Sequence, residues 1–259
     1  MIEVSKLSKT FFLTLVASVY VFLYMPIAVL ILYSFNDGGF PDAWRGFSFH
    51  WYHDLLDSVD IWRAFLNSII IALSSSTLSI IMAIFFIHGS RKYKRDWTAM
   101  FGVNVIISDI VLAVGLLTLF SAIAVPLGLT TIIAGHTLLG LGFTIPVIKG
   151  RYDELDDTLI EASLDLGASY QYTFFHVIVP FLYPAIFSAF LLAIIVSFDD
   201  FLISFFCAGA SVQTLSLYIF SMIRSGISPV VNALSTILFM ISLLMIVGIL
   251  MFQKNALRK

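Results

Sequence analysis

A chain of 259 residues that is 60% hydrophobic and only 12% charged, with a mean hydropathy of +1.01, falls outside the range of water-soluble domains and reads as a polytopic membrane protein. The net charge of −2 says little about partners, because in a membrane protein the placement of lysine and arginine carries the information. Cys207 stands alone, which excludes an intrachain disulfide, and the absence of a second thiol or a Cys/His cluster leaves no metal-site pattern.

The chain opens with Lys6 and Lys9 ahead of an apolar run that continues to Leu32. That run is longer than the apolar region of a signal peptide and is expected to stay as a first membrane span. Six segments are long enough to cross about 30 Å of hydrocarbon as helices. They fall near Phe11–Tyr33, Ala64–Ile87, Met100–Ala122, Leu127–Ile148, Pro184–Phe206 and Ala233–Phe252. Between the first two lies an aromatic loop, Phe35–Ile61, whose Trp44, Trp51 and Tyr52 suit the membrane interface and whose alternative use is to meet an external delivery protein. His50 and His53 carry no accompanying metal-site pattern, and His88, His136 and His176 are scattered; none reads as a ligand set. In the second span, Ser74, Ser75, Ser76 and Thr77 are expected to bond back along their own helix or across to a neighbour. Gly135, Gly140 and Gly142 in the fourth read as packing surface. No internal repeat is present, so any pseudo-symmetry must come from a partner subunit.

Basic residues divide unequally between the two sides of this arrangement. Lys6, Lys9, Arg91, Lys92, Lys94, Arg95, Lys149, Arg151, Lys254, Arg258 and Lys259 make eleven on one side, against Arg45, Arg63 and Arg224 on the other. The richer side is the cytoplasmic one, which places both termini and the loop after the fourth span in the cytoplasm.

That loop, residues 149–183, is the longest polar-bearing stretch between spans. Asp153, Glu154, Asp156, Asp157, Glu161 and Asp165 suit the positive N-terminal end of a short helix. Gly167 is placed to close it in a left-handed conformation, and Pro180 and Pro184 are expected to stop a second short helix and start a new span. Small residues at Ala162, Ser163 and Ala168 would admit another protein's surface close to the backbone. The spacing Glu161-Ala162-Ser163, then Gly167, then Val177-Ile178-Val179-Pro180 resembles the EAA loop of ATP-binding-cassette import permeases. Two departures preserve size and apolarity: Ser163 in place of the usual second alanine, and valines where isoleucine and leucine are common. The resemblance implies an all-α membrane protein, a single permease domain over residues 1–259 with six transmembrane helices of the type I importer permease fold. It further implies that Glu161, Ala162, Ser163, Asp165, Gly167 and Pro180 belong to a coupling helix seated in a groove of a cytoplasmic ATPase.

Three carboxylates sit in apolar spans: Asp109 near the middle of the third, and Asp199 and Asp200 near the middle of the fifth. Each costs about 2.5–3.5 kcal/mol at the centre of a helix on the insertion scale, so each needs a reason. No lysine or arginine lies in any predicted span to pair with them. What remains is protonation, hydrogen bonding, a water-filled cavity, or a positively charged substrate. Adjacent residues on a helix diverge by about 100°, so at most one of Asp199 and Asp200 points straight into a central path, and Asp199 is the preferred one. Phe198 and Phe201 flank the pair, where ring faces would add attraction for ammonium groups.

The segments Ser108-Asp109-Ile110-Val111, Ser197-Phe198-Asp199-Asp200-Phe201, Tyr218-Ile219-Phe220-Ser221-Met222, Gly226-Ile227-Ser228-Pro229 and Val231-Asn232-Ala233-Leu234-Ser235-Thr236-Ile237 look like the permeases of spermidine/putrescine importers, more closely the second permease subunit. Ser216 and Val230 depart from that subgroup, which more often has proline and an acid there. The resemblance implies a heterodimer of two related permeases, two copies of an ATPase that binds ATP and magnesium, and a soluble binding protein that hands over a polyamine in the inner membrane of a bacterium. This chain carries no Gly-Lys-Ser/Thr phosphate loop, so it is read as a non-enzymatic subunit without a cofactor of its own. Rival readings are an importer for iron, thiamine or a phosphonate, a proton-coupled secondary transporter, and an intramembrane aspartyl protease, whose Gly-x-Gly-Asp context is missing around Asp199 and Asp200.

Overall fold

The computed structural model describes residues 6–38, 43–92, 101, 107–225 and 229–256. Lys94, Arg95, Arg258, Lys259, Met100 and the Gly226–Ser228 segment, all used above, lie outside the described residues.

Among the described residues the chain is helical, with a single isolated β-bridge between Asn36 and Phe47. In chain order the helices are α1 (Lys6–Tyr33), α2 (His50–Asp57), α3 (Val59–Lys92), α4 (Asp109–Ala122), α5 (Leu129–Asp153), α6 (Asp157–Asp165), α7 (Tyr170–Asp199), α8 (Leu202–Cys207), α9 (Leu215–Ser225) and α10 (Val230–Ala256). Four of them, α1, α3, α5 and α7, are long and apolar enough to cross a membrane. The 14-residue α4 is shorter than a full span, and α10 is 27 residues long.

The chain forms two compact units. The first holds α1, the loop after it and α2, together with Ser221–Ile241. In α1 none of the apolar window is buried within the chain, so its side chains face lipid or another subunit. The following loop is tied to itself. Asp37 N–H donates to the Gly46 carbonyl (3.0 Å) and Ser48 N–H to Phe35 (2.8 Å), the Trp51 indole donates to the Asn36 carbonyl (2.7 Å), and the Asn36 side-chain oxygen accepts from Arg45 N–H (2.8 Å). Phe35 stacks on Phe47 at 5.2 Å and meets Phe49 edge-on at 5.6 Å.

The second unit, Asp60–Phe220 with the residues after Ile241, is built on α5, of whose apolar window 67% is buried. Helices in lipid associate through close approach of small residues. Here Gly140 of α5 lies against Ser79 of α3: a Cβ at Gly140 would sit 2.5 Å from the serine hydroxyl, which itself donates to the Thr137 carbonyl (2.9 Å). Gly135 likewise admits Ile203 of α8, 2.5 Å from where its Cβ would be. The expected packing role of these glycines is met. In the serine cluster, Ser75 donates back to Ala72 (3.3 Å) and Thr77 to Leu73 (2.7 Å), the helix-internal pattern expected of it.

The fifth span and the place of Asp109 differ most from the sequence reading. The fifth span begins at Tyr170 instead of Pro184 and ends at Asp199 instead of Phe206. Pro180 and Pro184 therefore lie inside one continuous helix rather than stopping a short one. A proline lacks the N–H and crowds the carbonyl four residues earlier, and α7 accommodates this by widening into a π-helical segment at Phe174–Ile178, where Val179 N–H reaches the Phe174 carbonyl. The Pro184 carbonyl is taken up by the Ser188 hydroxyl (3.0 Å). Asp109 is not mid-helix: it opens α4 behind the cap Ser108.

Candidate functional site

Two regions of the second unit carry the polar residues that the sequence singled out. The first is the hairpin between α5 and α7. Asp156 adopts an extended conformation, caps α6 and accepts from Thr158 N–H (2.9 Å). The backbone and side-chain hydrogen bonds of Thr158 hold the Asp156 carboxyl below the usual carboxylate range. Asp157 adds negative charge to the same first turn, the favourable end of the helix dipole. Gly167 follows the helix at φ +86°, the left-handed geometry that glycine adopts without strain. Ser169 then caps the start of α7 by accepting from Tyr172 N–H (3.2 Å), and Ser163 of α6 bonds Thr173 of α7 (3.0 Å), which locks the two arms together.

The hairpin rests on a buried base. Leu155 is buried, Ile160 packs against the same cluster, and Tyr152 bonds His88 of α3 (2.9 Å). Arg151 pairs with Glu154 and lies 4.2 Å over the Phe181 ring. Its outer face is open: Glu161, Ala162 and Asp165 are exposed, Ser163 is half-buried, Pro180 is exposed farther along, and Leu166 is 89% exposed. Ser163, Leu166, Gly167, Ala168, Ser169 and Tyr172 line a shallow concavity on this face. The sequence reading passed over Leu166. The signal for it was the apolar or small spacing Leu159, Ala162, Leu166, a stripe at helical period on an otherwise acidic helix.

The second region is the break between α7 and α8. Asp199 is the last residue of α7 and Asp200 turns the chain at φ −68°, ψ 125°. Non-helical backbone at membrane depth persists only if its polar groups are satisfied. Here they are. The Asp200 carboxylate accepts from Ser204 N–H (3.1 Å) and Ile203 N–H (3.4 Å) at the start of α8. The Ser216 hydroxyl donates to the Asp200 carbonyl (2.9 Å), and Thr131 donates to the Cys207 carbonyl at the far end of α8 (2.8 Å).

His136 of α5 completes the arrangement. Its Nε2 lies 3.2 Å from the Asp200 carboxylate and its Nδ1 2.6 Å from the Ser197 hydroxyl, with the side chains of His136 and Asp200 only 2% and 6% exposed. The sequence left His136 among the scattered histidines and sought only lysine or arginine as partners for the intramembrane acids. A lone histidine in one apolar span and a lone pair of acids in another was the usable signal. Asp199, by contrast, is exposed, and among the described residues its side chain makes no hydrogen bond or ion pair. Phe198 faces Phe65 at 6.4 Å, and Phe201 packs on Phe220 (4.8 Å) and Phe205 (5.4 Å). Asp109 is exposed at the start of α4. No group of three or more potential metal ligands occurs among the described residues.

The chain is 35% identical over 242 residues to the spermidine/putrescine transport system permease protein PotC of Haemophilus influenzae, covering 92% of this chain and 94% of that protein. It is 33% identical over 235 residues to PotC of Escherichia coli, 89% of each. The chain belongs to the spermidine/putrescine permease family of ATP-binding-cassette importers. The putrescine transport system permease protein PotI of Escherichia coli is a further relative, 33% identical with 85% of this chain and 82% of that protein covered. No family model matches the chain. In fold, it is similar to a chain from the crystal structure of a bacterial ABC transporter involved in the import of the acidic polysaccharide alginate, with a TM-score of 0.70 at 15% identity and coverage of 98% and 99%. The chain is thus an all-α membrane permease subunit of the importer fold.

Proposed function

We propose that this chain forms half of the path by which an ATP-driven importer moves spermidine and putrescine into the cytoplasm. The observation that carries this reading is its identity of 33–35%, over about 90% of its length, to permeases named for those substrates. The exposed carboxylate of Asp199, without a side-chain partner among the described residues, supports it, because a carboxylate next to phenylalanines in the chain is the chemistry an ammonium group needs. Asp109, Asp199, Phe198 and Phe201 line the path in this proposal.

The partner set follows from the same reading. A homologous second permease completes a heterodimer, two ATPase subunits lie below it, and a soluble binding protein delivers the polyamine from outside. The assembly sits in the inner membrane of a bacterium with both termini of this chain cytoplasmic, the arrangement that the excess of basic residues favours. ATP and magnesium are held by the ATPase. Residues 149–183 form the coupling loop, in which the acidic, capped α6 presents Glu161, Ala162, Asp165 and Leu166 to the ATPase groove while Ser163 and Gly167 fix its angle to α7. Closure of the ATPase pair moves this rigid hairpin, and α5 and α7, which continue from it, carry the movement to the break at Asp200.

The test is uptake of radiolabelled spermidine and putrescine by cells that lack their own polyamine importer and co-express this chain with its neighbouring genes. ATP-dependent accumulation is the expected result. An assembled, ATP-hydrolysing complex that accumulates neither compound would refute the substrate assignment.

A further inference from the structure

Adjacent carboxylates at an intramembrane helix break look interchangeable in the sequence, yet the structure gives them different surroundings. Asp200 is almost wholly buried and spends its carboxylate on three donors: Ser204 N–H, Ile203 N–H and the His136 ring. The Ser204 hydroxyl also lies 3.3 Å from His136 Nε2, and Ser197, one turn before Asp200, fixes the other ring nitrogen. The ring is therefore held from both sides. With three of its roughly four acceptor sites taken and its side chain only 6% exposed, Asp200 is poorly placed to receive an incoming cation. Asp199 has the opposite character, exposed and without a side-chain partner among the described residues.

We infer that Asp200 and His136 are a positioning pair: by pinning the end of α7 to α5 and capping α8, they hold the break in the one backbone geometry that turns the Asp199 carboxylate outward, and Asp200 itself does not contact the cargo. The division of labour rests on the proposed polyamine reading only where uptake is measured. The orientation of residue 199 is independent of what is carried.

The experiment uses the full transporter, assembled with cysteine-free partner subunits, with this chain's single cysteine changed by Cys207→Ser and with Asp199→Cys added. The probe is a positively charged methanethiosulfonate reagent, which modifies a thiol only where water reaches it. Residue 199 is expected to label readily, and labelling to slow by about tenfold or more when His136→Leu or Asp200→Ala is added, the loss of one charge-assisted restraint. Asp200→Asn should keep the rate within about threefold, because an amide oxygen in place of the carboxylate oxygen that faces both Ser204 N–H and the His136 ring still accepts there, and only the longer Ile203 contact (3.4 Å) is given up. In chains that retain Asp199, Asp200→Asn should preserve most polyamine uptake. Unchanged labelling in His136→Leu overturns the inference. So does an Asp200→Asn variant that labels normally at residue 199 yet transports nothing, since that result makes Asp200 a contact for the cargo. Should the two disruptive variants fail to assemble, the Asp200→Asn arm decides alone. The expected labelling pattern in a complex that never accumulates polyamine refutes the substrate assignment and leaves the positioning pair standing.

Discussion

Asp199 carries the sharpest prediction at the scale of single residues. Asp199→Asn keeps shape and removes the charge, so a cation that meets this side chain loses a charge-assisted contact worth ~1.5–3 kcal/mol, or about tenfold or more in rate. Uptake should fall by that factor while ATPase co-purification stays normal; full uptake by a well-expressed variant would remove Asp199 from the path. Gly140 makes an independent prediction about packing. A side chain there meets the Ser79 hydroxyl at 2.5 Å, so Gly140→Val forces α3 and α5 apart at a cost of about 1–3 kcal/mol, to be read as a lowered melting temperature of the purified complex. An unchanged melting temperature would contradict the crossing described here. At this scale the sequence was informative about residue type and poor on partners. It marked the three acids as unusual and preferred Asp199 over Asp200, but the partner of Asp200 is 64 residues away in chain order on α5, beyond any local pattern. Ser216, a departure from the expected subgroup, turns out to hold the Asp200 carbonyl, a role that depends on how α9 returns to the break.

The α6 hairpin was legible in the sequence as an element, because its rules are local. An aspartate cap, acids in the first turn and a glycine after the last turn are signals read over about ten residues, and Asp156, Asp157 and Gly167 occupy those positions. The proline rule failed in the next element for an equally physical reason: a π-helical turn absorbs Pro180, so α7 runs on from Tyr170. If α6 and its glycine turn form the lever to the ATPase, Gly167→Pro should uncouple it, since proline holds φ near −65° and the turn requires +86°. Leu166→Glu should weaken ATPase co-purification, because a leucine buried in a partner's groove contributes about 1.5–3 kcal/mol and a glutamate there adds a desolvation cost. Normal co-purification and uptake in both variants would sink the lever. The Asp156 cap adds a pH dependence. Its carboxyl is held below the ordinary value of about 4, so the cap's contribution is complete above that pH and is lost as pH falls through the lowered value. Protection of the Thr158 amide from hydrogen exchange should decline over that acidic range in wild type and be weak at all pH values in Asp156→Ala; equal protection in the two would contradict the cap.

For the molecule as a whole, hydrophobicity and span length indicated a polytopic helical membrane protein, and motif spacing indicated the importer family. The end of the fifth span at Asp199 could not be read this way, because it is set by side chains that satisfy broken backbone at depth and not by apolar length. That same break is where the proposed path and the lever meet: α7 begins at the coupling hairpin and ends at Asp199. The central claim is that ATP-driven motion of this helix delivers a polyamine past that carboxylate. Its most direct test is ATP-dependent accumulation of radiolabelled spermidine in proteoliposomes containing the purified complex and its binding protein, comparing wild type with Asp199→Asn. The account predicts accumulation by wild type and a loss of about tenfold or more in the variant at matched ATPase content. Equal accumulation by the two, or none by a wild-type complex that hydrolyses ATP, would contradict it.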